Sequence, residues 1–250
     1  MKNVRVLAVI VLSVLTVCSS AATLTDNFNN GISSANWKTF QADAAGAPWT
    51  ISAGTGAVEI SKPADNDSST MYQNATAGFL SNFAIEGNFS VSIDFDLRTF
   101  PLAPAYGWNE AQFKVITEQG GEFYSLRYTN NVDQRAEAFC NVSPYVINST
   151  GNSTMLGKLK ITRQGNTMSA FIDNGTVETL LGQKSSQLFL GKTIIQLLVA
   201  NVWDYPGPRP NTALDVRFDN FTVTAGSITI PEPMTMFLFG LGGLLLRRKK

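Results

Sequence analysis

Asp94 and Asp96 stand two residues apart in Val91-Ser92-Ile93-Asp94-Phe95-Asp96-Leu97, a stretch that alternates apolar and polar side chains. Residues i and i+2 of a strand share a face, so the two carboxylates project side by side. Paired carboxyls about 5–5.5 Å apart can cleave a glycosidic bond, one as nucleophile and one as general acid. An antiparallel sheet with one solvated face produces the same pattern without any chemistry. The expectation for Asp94 and Asp96 is the second: a polar strand face, with no catalytic residue.

A sugar site needs flat aromatic platforms beside amides or carboxylates, because a pyranose ring has an apolar face and a polar rim. Two loop-like stretches rich in Pro and Gly offer these, Pro104-Ala105-Tyr106-Gly107-Trp108-Asn109-Glu110 and Trp203-Asp204-Tyr205-Pro206-Gly207-Pro208-Arg209-Pro210. The candidate carbohydrate-binding residues are therefore Tyr106, Trp108, Glu110, Trp203, Asp204 and Tyr205. The competing reading makes Trp108 and Trp203 caps on the ends of the core. The chain has no histidine, which removes Ser-His-Asp and Cys-His catalysis and every His-ligated metal. Of the two cysteines, Cys18 falls in the N-terminal segment, so Cys140 is expected to be a small buried apolar residue.

The elements that must position these residues are strands. Ala111-Gln112-Phe113-Lys114-Val115, Tyr124-Ser125-Leu126-Arg127-Tyr128 and Val216-Arg217-Phe218 all alternate with period 2. Leu159–Arg163 and Met168–Ile172 flank Gln164-Gly165-Asn166 as a hairpin. Ile194 to Val202 is more continuously apolar, as a central strand is, and Asn141 to Thr154 reads as a long polar loop. No helical periodicity stands out beyond a turn near Ser33–Trp37, and no internal repeat occurs. Many short strands with Gly, Asn and Asp between them predict an all-β sandwich, barrel or jelly roll in one domain.

Both ends read as targeting segments. Lys2 and Arg5, an apolar stretch from Val6 to Val17, and Ser20-Ala21-Ala22 make a secretory signal peptide over 1–22, for a signal peptidase to remove. The order Leu15-Thr16-Val17-Cys18 resembles a lipobox, but Val17 is larger than that signal prefers. At the other end, Met234 to Leu246 runs 13 residues without a charge. As a helix that is about 20 Å, short of a ~30 Å hydrocarbon core. The cations beyond it would stay cytoplasmic. Of the 19 Lys and Arg, six lie in these ends, against one of the 19 acids, so the body carries five more acids than bases. That balance argues against a nucleic-acid partner.

Pro231-Glu232-Pro233, a Gly/Leu-rich apolar run and the terminal Arg247, Arg248, Lys249 and Lys250 resemble the PEP-CTERM sorting signal of bacteria. The resemblance covers about the last 20 residues, assigned to 228–250. It implies processing by an exosortase, transient anchoring in the inner membrane, and delivery to the cell envelope or an extracellular matrix. A plain C-terminal anchor is the simpler alternative.

The body, residues 23–227, carries signposts in a recognisable order: Asp26-Asn27-Phe28 before Trp37, then Trp49, Gly87-Asn88-Phe89, the hairpin at 159–172, and a closing Phe218-Asp219-Asn220-Phe221. It resembles a concanavalin A-like lectin/glucanase jelly roll in its laminin-G-like form. That implies two packed antiparallel sheets, flanked here by an N-terminal signal helix and a short C-terminal hydrophobic helix. Sandwiches of this type often hold a structural calcium, for which Asp26 and Asp219 are the candidate ligands if the chain ends pair; no other cofactor is expected. Retaining glucanases of the fold carry a Glu-x-Asp-x-x-Glu pattern on one strand. The nearest match is Asp94-Phe95-Asp96, where Thr99 occupies the third place and the next acid, Glu110, is too far along. The sequence therefore predicts a non-enzymatic exported protein with polysaccharide as its partner, or a matrix component with no discrete ligand; a divergent glycoside hydrolase is the remaining alternative.

Overall fold

A computed structural model describes residues 21–42, 49–54, 56–64, 75–103, 107–143, 145–151, 154–203 and 212–230, apart from the side chains of 146, 147 and 203. Residues 1–20 of the expected signal peptide, the expected sorting tail from Pro231, and Tyr106, Asp204 and Tyr205 lie outside the described residues.

The described residues form fifteen strands, every pairing antiparallel, and one short 3-10 turn at Gln187–Phe189. In chain order the strands are β1 (Ala22–Asp26), β2 (Trp37–Ala42), β3 (Thr50–Gly54), β4 (Ala57–Lys62), β5 (Ala75–Ser81), β6 (Ala84–Thr99), β7 (Gly107–Thr117) and β8 (Glu122–Thr129). They continue as β9 (Gln134–Cys140), β10 (Val146–Gly151), β11 (Leu156–Gln164), β12 (Thr167–Asp173), β13 (Glu178–Ser185), β14 (Thr193–Trp203) and β15 (Leu214–Thr229).

They build two layers. The front layer runs β10-β9-β8-β7-β14-β5-β2, and the back layer runs β13-β12-β11-β6-β15, with β1 and β4 both paired to β15 and β3 to β4. A single bridge, Thr193 to Ile85, joins β14 to β6 at one edge. Ile194–Val202 is a central strand, as its sequence predicts, with β7 on one side and β5 on the other.

Period-2 alternation sets which face is dry. On β6, Val91, Ile93, Phe95 and Leu97 are buried while Ser92, Asp94 and Asp96 are half-exposed. On β7, Asn109, Ala111, Phe113 and Val115 are fully buried, and Trp108, Glu110, Gln112 and Lys114 face out. The two inner faces meet to form one core, to which each buried large apolar side chain adds about 1.5–3 kcal/mol. Ser125 Oγ donates across it to the Phe171 carbonyl at 3.0 Å. Cys140 is buried in the same core. The hairpin between β11 and β12 turns on Gly165 and Asn166, and Gly165 has φ +60, which a side chain would strain.

The signposts have physical reasons. Trp37 is 2% exposed, packed edge-on against Phe79, Phe83 and Phe221. Its indole N–H donates to Asp26 Oδ2 at 3.0 Å, and Asp26 Oδ1 takes the Phe28 amide at 2.9 Å. The first Asp therefore pins the first core Trp. Near the other end, Asn220 has φ +50 within a register shift between Asp219 and Thr222, and its amide donates to Asp94 Oδ2 at 2.9 Å.

Two expectations need correction. Residues 141–154 are not a continuous loop, because β10 pairs with β9 through five of its residues. Edge pairing satisfies backbone groups whatever the side chains are, so Asn148, Ser149 and Thr150 gave no apolar signal. The loop-like stretch ending at Glu110 is strand from Gly107 onward, because β14 pairs with it from Gly107 and β8 from Asn109.

Candidate functional site

β7 sits between β8 and β14 with its backbone paired on both sides, which makes it a stiff platform for side chains. Register sets the neighbours. Glu110 lies opposite Tyr128, Gln112 opposite Leu126 and Lys114 opposite Tyr124. One strand further, Arg135 lies opposite Tyr128, Glu137 opposite Leu126 and Phe139 opposite Tyr124. These outward side chains enclose a cleft of about 270 Å³, lined by Trp108, Glu110, Gln112, Tyr124, Leu126, Tyr128, Glu137 and Phe139.

Glu110 is held at both oxygens. The Trp108 indole N–H donates to Oε1 at 2.6 Å, and the Gln112 amide donates to Oε2. Both donors are neutral. Burial pushes the Glu110 carboxyl above the usual carboxylate range, the two hydrogen bonds pull the other way, and the charge of Glu137 pushes up again. Glu137 is 7% exposed and ion-paired to Arg135 Nε at 2.6 Å. Its carboxyl is also raised, chiefly by burial, with Arg135 opposing. Arg135 in turn lies 4.4 Å from the centre of the Tyr128 ring.

The aromatic walls are fixed as well. Trp108 and Tyr128 sit 6.1 Å apart at 32°. The Tyr124 hydroxyl donates to Glu122, Lys114 Nζ reaches the same carboxylate at 3.5 Å, and that ammonium lies 5.0 Å from the Tyr124 ring centre. Phe139 meets Tyr124 edge-on at 5.2 Å. The arrangement offers flat apolar surfaces beside two carboxyls that burial pushes above the usual carboxylate range. That is a sugar-shaped environment with proton-transfer groups in it.

Of the candidate sugar-binding residues, Trp108 and Glu110 are therefore in contact and line one cleft. The backbone of Trp203 pairs with Gly107, which brings the ends of the two candidate stretches together at one end of β7 and β14. Glu137, Gln112, Tyr124 and Tyr128 were not among the candidates. Their strands alternate legibly, but nothing in the order of residues says that three separate strands share one outward face.

Asp94 and Asp96 lie elsewhere, on the outer face of β6 in the back layer. Asp94 pairs with Lys158 at 3.5 Å and accepts from Asn220; Asp96 pairs with Arg98 at 3.4 Å. On β7 the order from Glu110 is Glu110-Ala111-Gln112-Phe113-Lys114-Val115, with an amide and an apolar residue where the glucanase pattern has its second and third acids.

The chain ends do pair, with Asp26 in register with Phe221. Asp26 already takes hydrogen bonds at both oxygens, and Asp219 Oδ1 accepts the Asn220 amide at 2.6 Å. Among the described residues, no three His, Cys, Asp or Glu side chains gather around a metal-sized space.

Neither a family model nor a curated protein sequence matches the chain. Solved structures do. The catalytic domain of an endo-1,3-beta-glucanase (laminarinase) from Thermotoga petrophila has a TM-score of 0.59 and 14% identity, with 82% of this chain and 98% of that one covered. A lichenase from a mouse hindgut metagenome gives 0.54 and 13%, over 82% and 99%. The carbohydrate recognition domain of Emp47p gives 0.53 and 13%, over 84% and 99%. The fold is a concanavalin A-like jelly roll. At these identities the likeness shows architecture. It also overturns the expectation of a non-enzymatic protein, because the matched chains include glycoside hydrolase catalytic domains aligned over nearly their whole length.

Proposed function

We propose that this protein is a polysaccharide-processing jelly roll that holds a glycan across β7, β8 and β9 and hydrolyses it with Glu110 and Glu137. The observation that carries the reading is the cleft itself: two buried carboxyls, one with neutral partners and one with a cation, facing one space walled by Trp108, Tyr124 and Tyr128.

The roles follow from the partners. Glu110 has neutral partners and is pushed towards its protonated form, so it donates a proton to the glycosidic oxygen as the C–O bond breaks. Glu137 has the Arg135 guanidinium as an ion partner, which opposes the effect of its burial, so it is the carboxyl assigned as base: it takes a proton from the water that attacks the anomeric carbon. Afterwards Glu137 releases its proton to solvent and Glu110 regains one. Glu137 lies two strands from β7, about 10 Å between backbones at ~4.8 Å per strand. Their side chains converge on one cleft, which suits the wider carboxyl separation, about 6.5–9.5 Å, of an inverting route. Gln112 and Val115 leave β7 without the further acids of a retaining one.

The sequence ends support the rest of the proposal. The N-terminal signal reading supports export. The Pro231-Glu232-Pro233 tail with its four terminal cations supports exosortase processing, transient inner-membrane anchoring, and delivery to the cell envelope or matrix.

The test is release of reducing ends from β-1,3-glucan and β-1,3-1,4-glucan, with the first-formed anomer followed by NMR. Turnover with inversion, lost in Glu110→Gln and in Glu137→Gln, is the expected result. Turnover with retention would remove the assigned roles. Release no greater than in Glu110→Gln, on these polymers and on the host's own exopolysaccharide, would remove hydrolysis.

A further inference from the structure

Tyr145 is 58% exposed, yet it is not loosely held. Its ring stacks on Phe139 at 6.4 Å and 21°, and Phe139 is a wall of the cleft. Its carbonyl accepts the Cys140 amide at 2.8 Å. Asn141 and Ser143, just before it, are tied to two other strands. Asn141 donates its amide to the Glu122 carbonyl at 3.2 Å, Asn141 Oδ1 accepts the Glu122 amide at 2.8 Å, and Lys184 Nζ donates to the Ser143 carbonyl at 2.7 Å. An exposed apolar residue is ordinary on any surface. An exposed aromatic ring with one face stacked on a binding-site wall, on a backbone already ordered, is a pre-formed platform whose use costs little conformational entropy.

We propose that Tyr145 and Phe139 form an outer sugar platform that extends the cleft over the β9–β10 edge. Its ligand is a neutral pyranose residue of the same polysaccharide chain, a unit that does not react. The inference rests on the cleft being the glycan site. Tyr145 immediately precedes β10, three strands from the β7 carboxyl, or about 14 Å at ~4.8 Å per strand, too far to serve the sugar beside Glu110. The rings cross from Trp108 on β7 to Tyr128 on β8, step four residues along β8 to Tyr124, and cross again to Phe139 on β9 and Tyr145. A glycan bound on them runs obliquely over the sheet. The platform therefore selects for chain length, not for the bond that is cut.

Affinity electrophoresis through gels holding laminarin, lichenan or the host's exopolysaccharide tests this. Tyr145→Ala is compared with wild type, Tyr145→Phe and Trp108→Ala, with equal melting temperatures for the Tyr145 variants as the folding control. The expected result is roughly three- to tenfold weaker retention for Tyr145→Ala, the loss of one aromatic stacking contact. Tyr145→Phe should behave as wild type, and Tyr145→Ala should bind laminaritriose as wild type does. Equal retention of Tyr145→Ala and wild type, with Trp108→Ala weakened, overturns the platform and leaves the cleft standing. No retention of wild type by any of these polymers overturns both.

Discussion

Two pairs of acids sit on outward strand faces of this molecule, and they are opposites. On the back layer, Asp94 and Asp96 are partly exposed and neutralised by Lys158 and Arg98. On the front layer, Glu110 meets only neutral hydrogen-bond donors, and Glu137 has a cation but is nearly buried. The same residue class thus makes a solvated surface in one place and a pair of raised carboxyls in the other. Water and a matching cation stabilise charge; burial opposes it. Raised carboxyls in a cleft mark a candidate functional site because holding them there is costly.

The comparison breaks most decisively on activity. Glu110→Gln should lower turnover of a β-glucan by about 10²- to 10⁴-fold, the usual contribution of a general acid. Asp94→Asn and Asp96→Asn should leave kcat and KM unchanged, and a comparable loss from either would transfer the chemistry to the back layer. Next in size is binding. Trp108→Ala should weaken retention on polysaccharide by roughly tenfold, through loss of a stacking surface and of the indole donor to Glu110.

Stability against pH sharpens the contrast. The folded Glu110 carboxyl binds its proton more tightly than in the unfolded chain, whose value is near 4.5. Its contribution is therefore fully present below that value and is lost as pH rises through the raised folded one. Thermal melts should show Glu110→Gln gaining stability relative to wild type at pH 7 and gaining less, or nothing, at pH 4. A gain independent of pH would mean that Glu110 is not raised. The smallest effect belongs to the back layer. Asp94→Asn should cost no more than about 1 kcal/mol in denaturant melts, as exposed ion pairs do, and salt should shrink the difference.

Much of this architecture is legible in the residue order. The Val91–Leu97 alternation, the hairpin around Gly165, the apolar central strand and the Asp26–Trp37 signpost all appear as the sequence implies, because each depends on local periodicity, turn chemistry or one short contact. Trp108 and Glu110 stood out as possible sugar ligands by composition. Glu137 did not, since it stands 27 positions from Glu110 and shares its cleft only through the pairing of β7 with β8 and β8 with β9. The same limit sent the search for catalytic carboxylates to Asp94 and Asp96. Period-2 alternation says that a face is solvated, and it is silent about which layer the strand joins.

The sequence by itself determined an all-β body, its core residues, and ends composed like targeting signals. Those are properties of segments, written in spacing and hydropathy. Which acids are charged and paired, which are buried together, and where aromatic rings line up across strands was decided only by the tertiary structure. Each of those properties belongs to strands brought side by side by register, and register is a relation between distant segments that no single segment encodes.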